Sequence, residues 1–148
     1  MGGISLKHVL VGGLVAGLTI NLGETILNAY LLGGAYAERM MAYGVPESPY
    51  AVPIFLVYGF LLGIVAVWLH AAVRPRLGAG PKTAALVGLA VWLLYSGSFA
   101  DFHLAVPLFP AHVPLTNLAW GSVEVPLATV LGAWVYRENS SVPVPSSD

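Results

Sequence analysis

Four ionisable side chains interrupt otherwise apolar stretches of this sequence. They are Glu24, Asp101, His103 and Glu124. An ionisable side chain near the middle of a bilayer costs about 2.5–3.5 kcal/mol on insertion scales, so it is rarely there without a role. Carboxyl and imidazole groups transfer protons in acid–base chemistry, and they also bind metals such as manganese, iron or zinc. These four residues are therefore the first candidates for a functional site.

The elements that must position these side chains are four apolar runs, each long enough for the roughly 20 residues of a spanning helix. The runs cover about 8–32, 51–73, 83–104 and 113–136, and segments rich in glycine and proline separate them. Only 9% of the residues are charged, against roughly 25% in an ordinary soluble domain. The sequence therefore predicts an all-α membrane protein, with a single four-transmembrane-helix bundle over residues 1–137.

Two segments outside the spans have patterns of their own. Residues 35–43, AYAERMMAY, place Tyr36, Met40 and Tyr43 on one stripe. This stripe predicts a short interfacial helix between the first two spans, capped by Gly44. Residues 138–148 are polar and rich in proline and serine, which predicts a disordered cytoplasmic tail.

Positive charge predicts the orientation of the chain in the membrane. Five of the six Lys and Arg residues lie at one end of the predicted bundle, and Arg39 alone lies at the other. Lys and Arg in short loops favour the cytoplasmic side. We therefore expect a multi-pass protein of the inner (cytoplasmic) membrane with both termini in the cytoplasm.

Polar residues on three spans repeat at helical spacing. On the first span Gly13, Gly17, Asn21, Glu24 and Asn28 share one face. If the polar faces of the first, third and fourth spans point inward, they meet in one pocket that opens outward. The predicted ligand-binding residues are Asn21, Glu24, Asn28, Ser98, Asp101, His103, Asn117, Trp120 and Glu124, and Trp92 and Tyr95 are further lining candidates.

The pocket would bring together three carboxylates, Glu24, Asp101 and Glu124. They cannot all stay ionised at such close range unless a cation lies among them. The pocket is therefore predicted to bind a proton, a cation or a small polar ligand. A structural alternative stays open, because protonated carboxyls, Asn and Ser can join helices through hydrogen bonds worth about 0.6–2 kcal/mol each without any ligand.

We expect no resident cofactor. Glu24, Asp101, His103 and Glu124 have the donor types of a metal centre, but no Glu-x-x-His pair supports one. A haem is the other cofactor to consider. Its iron would be bound by His8 and His70, the two histidines nearest the cytoplasmic ends of the first two spans. The chain contains no cysteine, which excludes iron–sulfur clusters and thiol catalysis.

Two other functions fit the same residues. One is a membrane enzyme that acts on a lipid or quinone-like substrate, with Glu24, Asp101 and Glu124 in acid–base or metal-binding roles. The other is an accessory subunit of a larger membrane complex. The lipid bilayer is the expected partner, and a homodimer through the Gly faces is an option. The near-neutral charge balance argues against nucleic acid.

The layout resembles an uncharacterised family of small bacterial four-helix integral membrane proteins. The matching segments are residues 37–45, AERMMAYGV, and the last span, residues 114–137, PLTNLAWGSVEVPLATVLGAWVYR. The Asn21 and Glu24 face is not part of the pattern known for that family. The resemblance implies the fold and the topology, and it implies no activity.

Overall fold

The chain forms four helical spans that are long and apolar enough to cross a membrane, in a computed structural model that describes residues 4–136. The spans are Leu6–Ala42, Ala51–Leu77, Pro81–Ala105 and His112–Val135. They confirm the predicted all-α membrane protein with a four-helix bundle. The tail predicted to be disordered, 138–148, lies outside the described residues.

A π-helical segment interrupts the first span and another interrupts the third. The elements in chain order are α1 (Leu6–Ile26), a first π segment (Leu27–Leu32), α2 (Gly33–Ala42), α3 (Ala51–Leu77), α4 (Pro81–Trp92), a second π segment (Leu93–Gly97), α5 (Ser98–Ala105) and α6 (His112–Val135). Single π-helical turns inside α-helices occur frequently at functional sites. Both π segments contact α6.

Side-chain donors stabilise the helix at each π segment. The Asn28 side-chain amide donates to the carbonyl oxygen of Glu24 at 2.8 Å. The Ser98 hydroxyl donates to the carbonyl oxygen of Leu94 at 2.6 Å. Such bonds supply donors to carbonyls where the regular i to i−4 ladder is interrupted. Asn28 and Ser98, which were both predicted to bind a ligand, thus donate hydrogen bonds to backbone carbonyls of their own helices.

The segment predicted to be a separate interfacial helix continues the first span. Helix α2 ends at Ala42, and Gly44 follows with a φ of +65°. The Gly44 N–H donates to the Met41 carbonyl at 3.0 Å, and the Val45 N–H donates to the Met40 carbonyl at 2.9 Å. This is the Schellman arrangement. It confirms Gly44 as the cap, whereas the predicted break before residue 35 is replaced by the first π segment.

Helix α2 packs over the loop before α6. The Tyr36 ring meets Phe109 edge-on, with a centroid distance of 4.9 Å. The Tyr43 hydroxyl donates to the Leu108 carbonyl at 3.2 Å. The predicted stripe of Tyr36, Met40 and Tyr43 therefore makes real contacts, and it holds α2 against the bundle.

Glycines bring α1 and α3 together almost backbone to backbone. A Cβ added to Gly63 would lie 2.6 Å from the Gly13 carbonyl oxygen and 2.7 Å from the Gly17 Cα. These distances confirm that the predicted small-residue faces are packing surfaces. Because Gly13, Gly17 and Gly63 are used inside one chain, a homodimer would need another surface.

Helix α6 contacts each of the other three spans and therefore lies at the centre of the bundle. Against α1, a Cβ on Gly12 would lie 2.5 Å from the Gly132 carbonyl oxygen. Against α4, a Cβ on Gly88 would lie 2.5 Å from the Pro126 Cα. A side chain in the middle of α6 is therefore surrounded by protein on several sides.

Candidate intramembrane acidic site

Glu124 lies in the middle of α6 and is only 7% exposed. Its carboxyl group packs directly against Gly23 of α1, in the space that a Cβ on that residue would need. Any larger residue at position 23 would displace the Glu124 side chain. The glycine therefore makes the space in which the carboxyl group lies.

One oxygen of this carboxyl group is unsatisfied. Glu124 Oε1 is buried and has no hydrogen-bond partner among the described residues, and the same is true of the Trp120 indole N–H one turn earlier. The indole lies close to the carboxyl group without the geometry of a hydrogen bond. A buried polar group without a partner costs about 1–3 kcal/mol, and more if it is charged. The site thus contains a buried acceptor and a buried donor that are both unpaired within residues 4–136.

Glu24 of α1 is the second carboxylate of the site. It is partly buried and lies within electrostatic range of Glu124. The Asn28 side-chain amide donates to Glu24 Oε2 at 3.3 Å. Two carboxylates from different helices thus lie within electrostatic range of each other, with Glu124 buried and Glu24 partly accessible.

Tyrosines surround the pair of carboxylates. Tyr36 of α2 and Tyr95 of the second π segment both lie within electrostatic range of Glu24. The Tyr95 ring also packs against Tyr58 of α3, with a centroid distance of 5.7 Å. Tyrosines of the first and third spans therefore lie near the carboxylates, and Tyr58 of the second span contacts the site through Tyr95.

Asn21 lies one turn before Glu24 and has a structural role. Its side-chain amide donates to the Leu56 carbonyl at 3.1 Å. Its Oδ1 lies where a Cβ on Gly59 would be, at 2.5 Å. This predicted ligand residue is buried, but it joins α1 to α3 and its amide N–H is already used.

Asp101 and Ser98 are not brought to the site, because both are exposed. The third span turns its small residues inward instead, with Ser96 and Ala100 both buried. Ser96 Oγ lies 2.6 Å from the position of a Cβ on Gly121, so this face packs tightly on α6. The expectation that three carboxylates converge is therefore corrected to two, because the face of this span that packs on Gly121 carries Ser96 and not Asp101.

The remaining predicted site residues divide between structural and peripheral positions. His103 Nδ1 lies 2.8 Å from the Phe99 carbonyl oxygen, and the imidazole packs among three phenylalanine rings. Asn28 is exposed and pairs with Glu24, whereas Asn117 is half-buried two turns before Glu124. The indole N–H of the lining candidate Trp92 donates to the Leu118 carbonyl at 2.9 Å.

The four residues predicted as metal-ligand candidates are not all brought together. Within residues 4–136, no three His, Asp or Glu side chains come together in a group that would hold a metal ion. Asp101 is exposed and His103 lies among aromatic rings, so these two candidates do not join Glu24 and Glu124. His8 pairs with the Ser5 hydroxyl at 2.8 Å, and His70 is buried on α3.

Sequence reasoning missed Gly23 as a site residue. The polar stripe on the first span pointed to Asn21 and Glu24, and it passed over the glycine between them. The only signal was the small size of residue 23 beside a carboxylate, which gives no information about the residue on the facing helix. Tyr58 was also missed, since no pattern connects it to the polar residues of the other spans.

No family model, curated protein or solved structure matches this chain. The resemblance to the small bacterial membrane proteins therefore stays a prediction.

Proposed function

We propose that this protein binds a proton or a small cation at an intramembrane site formed by Glu24 and Glu124. A small polar ligand that carries a positive charge would use the same two carboxylates. The observation that carries the proposal is the buried Glu124 Oε1, which has no hydrogen-bond partner among the described residues. A purely structural seam would be expected to pair such an atom with a donor.

The two carboxylates differ in a way that suits exchange. Glu124 is enclosed between α6 and Gly23, whereas Glu24 is partly exposed. An ion or proton would reach Glu24 first and pass to Glu124 across the short gap between the helices. Carboxylate and phenol oxygens favour hard ions such as Na⁺ or H⁺ over the soft metals that prefer sulfur ligands.

Carbodiimide labelling tests this proposal. Dicyclohexylcarbodiimide adds to protonated carboxyl groups in apolar surroundings, and the adduct is located by peptide mass spectrometry. We expect labelling at Glu124, and we expect Na⁺ or raised pH to slow it, because both remove the proton from the site. Glu24→Gln should change how strongly Na⁺ and raised pH slow the labelling of Glu124, since it removes the neighbouring charge.

Asp101→Asn is the matched control, because it removes a carboxylate that lies on a membrane span but outside the site. It should leave the labelling of Glu124 and its protection by Na⁺ unchanged. If Glu124 were labelled at the same rate at every pH and Na⁺ concentration, its carboxyl group would be permanently protonated and the proposal would fail.

We further propose that the protein lies in the inner membrane with both termini in the cytoplasm, on the strength of the five-to-one distribution of Lys and Arg. The chain has no cysteine, so a single introduced thiol reports its own side of the membrane. In intact cells a membrane-impermeant maleimide should label Ser48→Cys, in the loop before α3, but not Ala79→Cys, in the loop after it. The reverse pattern would invert the proposed orientation.

A further inference from the structure

A surface groove lies at the end of the bundle where α2 meets the start of α6. Its volume is about 550 Å³, within the range of small-ligand sites. One wall is α2, with Ala35, Glu38 and Arg39, and the other is formed by Pro110 and His112. The contacts of Tyr36 with Phe109 and of Tyr43 with Leu108 hold these two walls together.

Arg39 gives the groove a positively charged group with an unsatisfied donor. Its guanidinium lies over the Tyr43 ring, 5.8 Å from the centroid. Its Nε is buried and has no hydrogen-bond partner among the described residues. Arginine matches the geometry of phosphate oxygens with several parallel N–H groups. Arg39 is partly exposed and lines the groove. Because its Nε is buried, a phosphate in the groove would reach the guanidinium through the terminal nitrogens.

His112 on the opposite wall and Glu38 beside Arg39 limit which ligands would fit the groove. His112 is exposed at the start of α6 and lines the groove opposite Arg39, and an imidazole N–H can donate to a phosphate oxygen. Glu38 adds a negative charge beside Arg39. This carboxylate disfavours a doubly charged phosphate, but it would pair with an ammonium group carried by the same ligand.

The length of the first span predicts that the groove lies near the depth of lipid headgroups. The 37 residues of the first span cover about 55 Å at roughly 1.5 Å per residue. A bilayer measures only about 40–45 Å with its headgroups. Helix α2 forms the last part of this span, so it emerges where α5 ends and α6 begins. Lipid phosphates lie at that level.

We propose that this groove binds a phosphodiester that carries a primary ammonium group, the chemistry of a phosphatidylethanolamine headgroup. Arg39 and His112 would bind the phosphate, and Glu38 would bind the ammonium. This lipid site is separate from the pair Glu24 and Glu124. It does not depend on the function proposed for them.

Native mass spectrometry of the full chain released from detergent micelles tests the proposal, with phosphatidylethanolamine, phosphatidylcholine or phosphatidylglycerol added in turn. We expect the wild type to retain phosphatidylethanolamine best, because phosphatidylcholine has no ammonium N–H and phosphatidylglycerol has no ammonium. Arg39→Gln should reduce its occupancy at least fivefold. Glu38→Gln, an exposed position that tolerates the change, should abolish the preference over phosphatidylglycerol.

Glu47→Gln and Arg76→Gln are the controls, since they remove one charge of each sign away from the groove, and neither should alter binding. Equal occupancy in wild type and Arg39→Gln would overturn the proposal, and so would an unchanged preference in Glu38→Gln. Soluble glycerophosphoethanolamine at the lipid concentration should not displace the lipid. Displacement would assign the groove to a soluble phosphodiester and overturn the lipid as its ligand.

Discussion

Helix α1 meets its neighbours in two different ways along its length. In its first half, Gly13 and Gly17 bring the backbone of α3 into contact. In its second half, Gly23 leaves room for the Glu124 carboxyl of α6. The same residue type thus serves close helix packing in one region and the enclosure of a polar group in the other.

The two regions contribute differently to the stability of the bundle. Between helices in lipid, van der Waals packing replaces the hydrophobic effect as a source of association, so glycine contacts stabilise the first region. The second region contains a buried oxygen without a donor, which costs free energy. The proposed proton or cation site lies in this second region, where binding would offset that cost.

The largest effect is expected from a change in the glycine-packed region. Gly63→Ala would place a methyl group against the backbone of α1, where no flexible side chain can move aside. We expect a loss of about 1–3 kcal/mol in the free energy of unfolding, the usual cost of overpacking. Unfolding in detergent, followed by circular dichroism, measures it.

Gly34→Ala is the matched control, because nothing lies within 4 Å of a Cβ there. Alanine is the better helix former by about 1 kcal/mol, so this variant should be as stable as the wild type or slightly more stable. If both variants lost stability equally, backbone contact between α1 and α3 would not be what holds this region together.

A smaller loss is expected from Gly23→Ala in the acidic region. The added methyl group competes with the Glu124 carboxyl, which is the end of a flexible side chain and can rotate away. We expect a loss of up to about 1–2 kcal/mol by overpacking, together with altered carbodiimide labelling of Glu124. Gly97→Ala meets only an ordinary contact with Leu93, at 3.5 Å, and should change neither. Unaltered labelling in Gly23→Ala would argue against Gly23 as the wall of the site.

The smallest effect is expected from Trp92→Phe, which removes the hydrogen bond to the Leu118 carbonyl. Hydrogen bonds between membrane helices average about 0.6 kcal/mol. Trp134→Phe, at a position that is 83% exposed, is the control. A loss well above 2 kcal/mol for Trp92→Phe would place α4 among the principal sources of stability, on a level with the glycine contacts.

The spans could be predicted from the sequence because length and hydrophobicity determine which segments cross a membrane. The glycine faces could also be predicted, since glycines at i and i+4 lie on one side of a helix. The choice of face on the third span could not. Its polar stripe contains Ser98 and Asp101, but Ser96 and Ala100 are the residues that are buried, and Ser96 packs against Gly121 of α6.

The π segments could not be predicted because they depend on the local balance of backbone hydrogen bonds. Asn28 and Ser98 looked like ligand residues, since polar side chains in apolar spans indicate a binding site. In the structure both donate to carbonyls of their own helices. The partnership of Glu124 with Gly23 was also out of reach, because it depends on how far α6 is displaced along α1.

Infrared difference spectroscopy of the Glu124 carboxyl tests most directly whether the acidic region binds a proton or cation or is only a structural contact. Protein in lipid is compared with and without Na⁺ and at two pH values, and the C=O stretch of the protonated acid is followed. We predict a band that responds to both conditions, is absent in Glu124→Gln and persists in Asp101→Asn. A Glu124 band that neither pH nor Na⁺ alters would show a sealed hydrogen-bonding contact and contradict the proposed site.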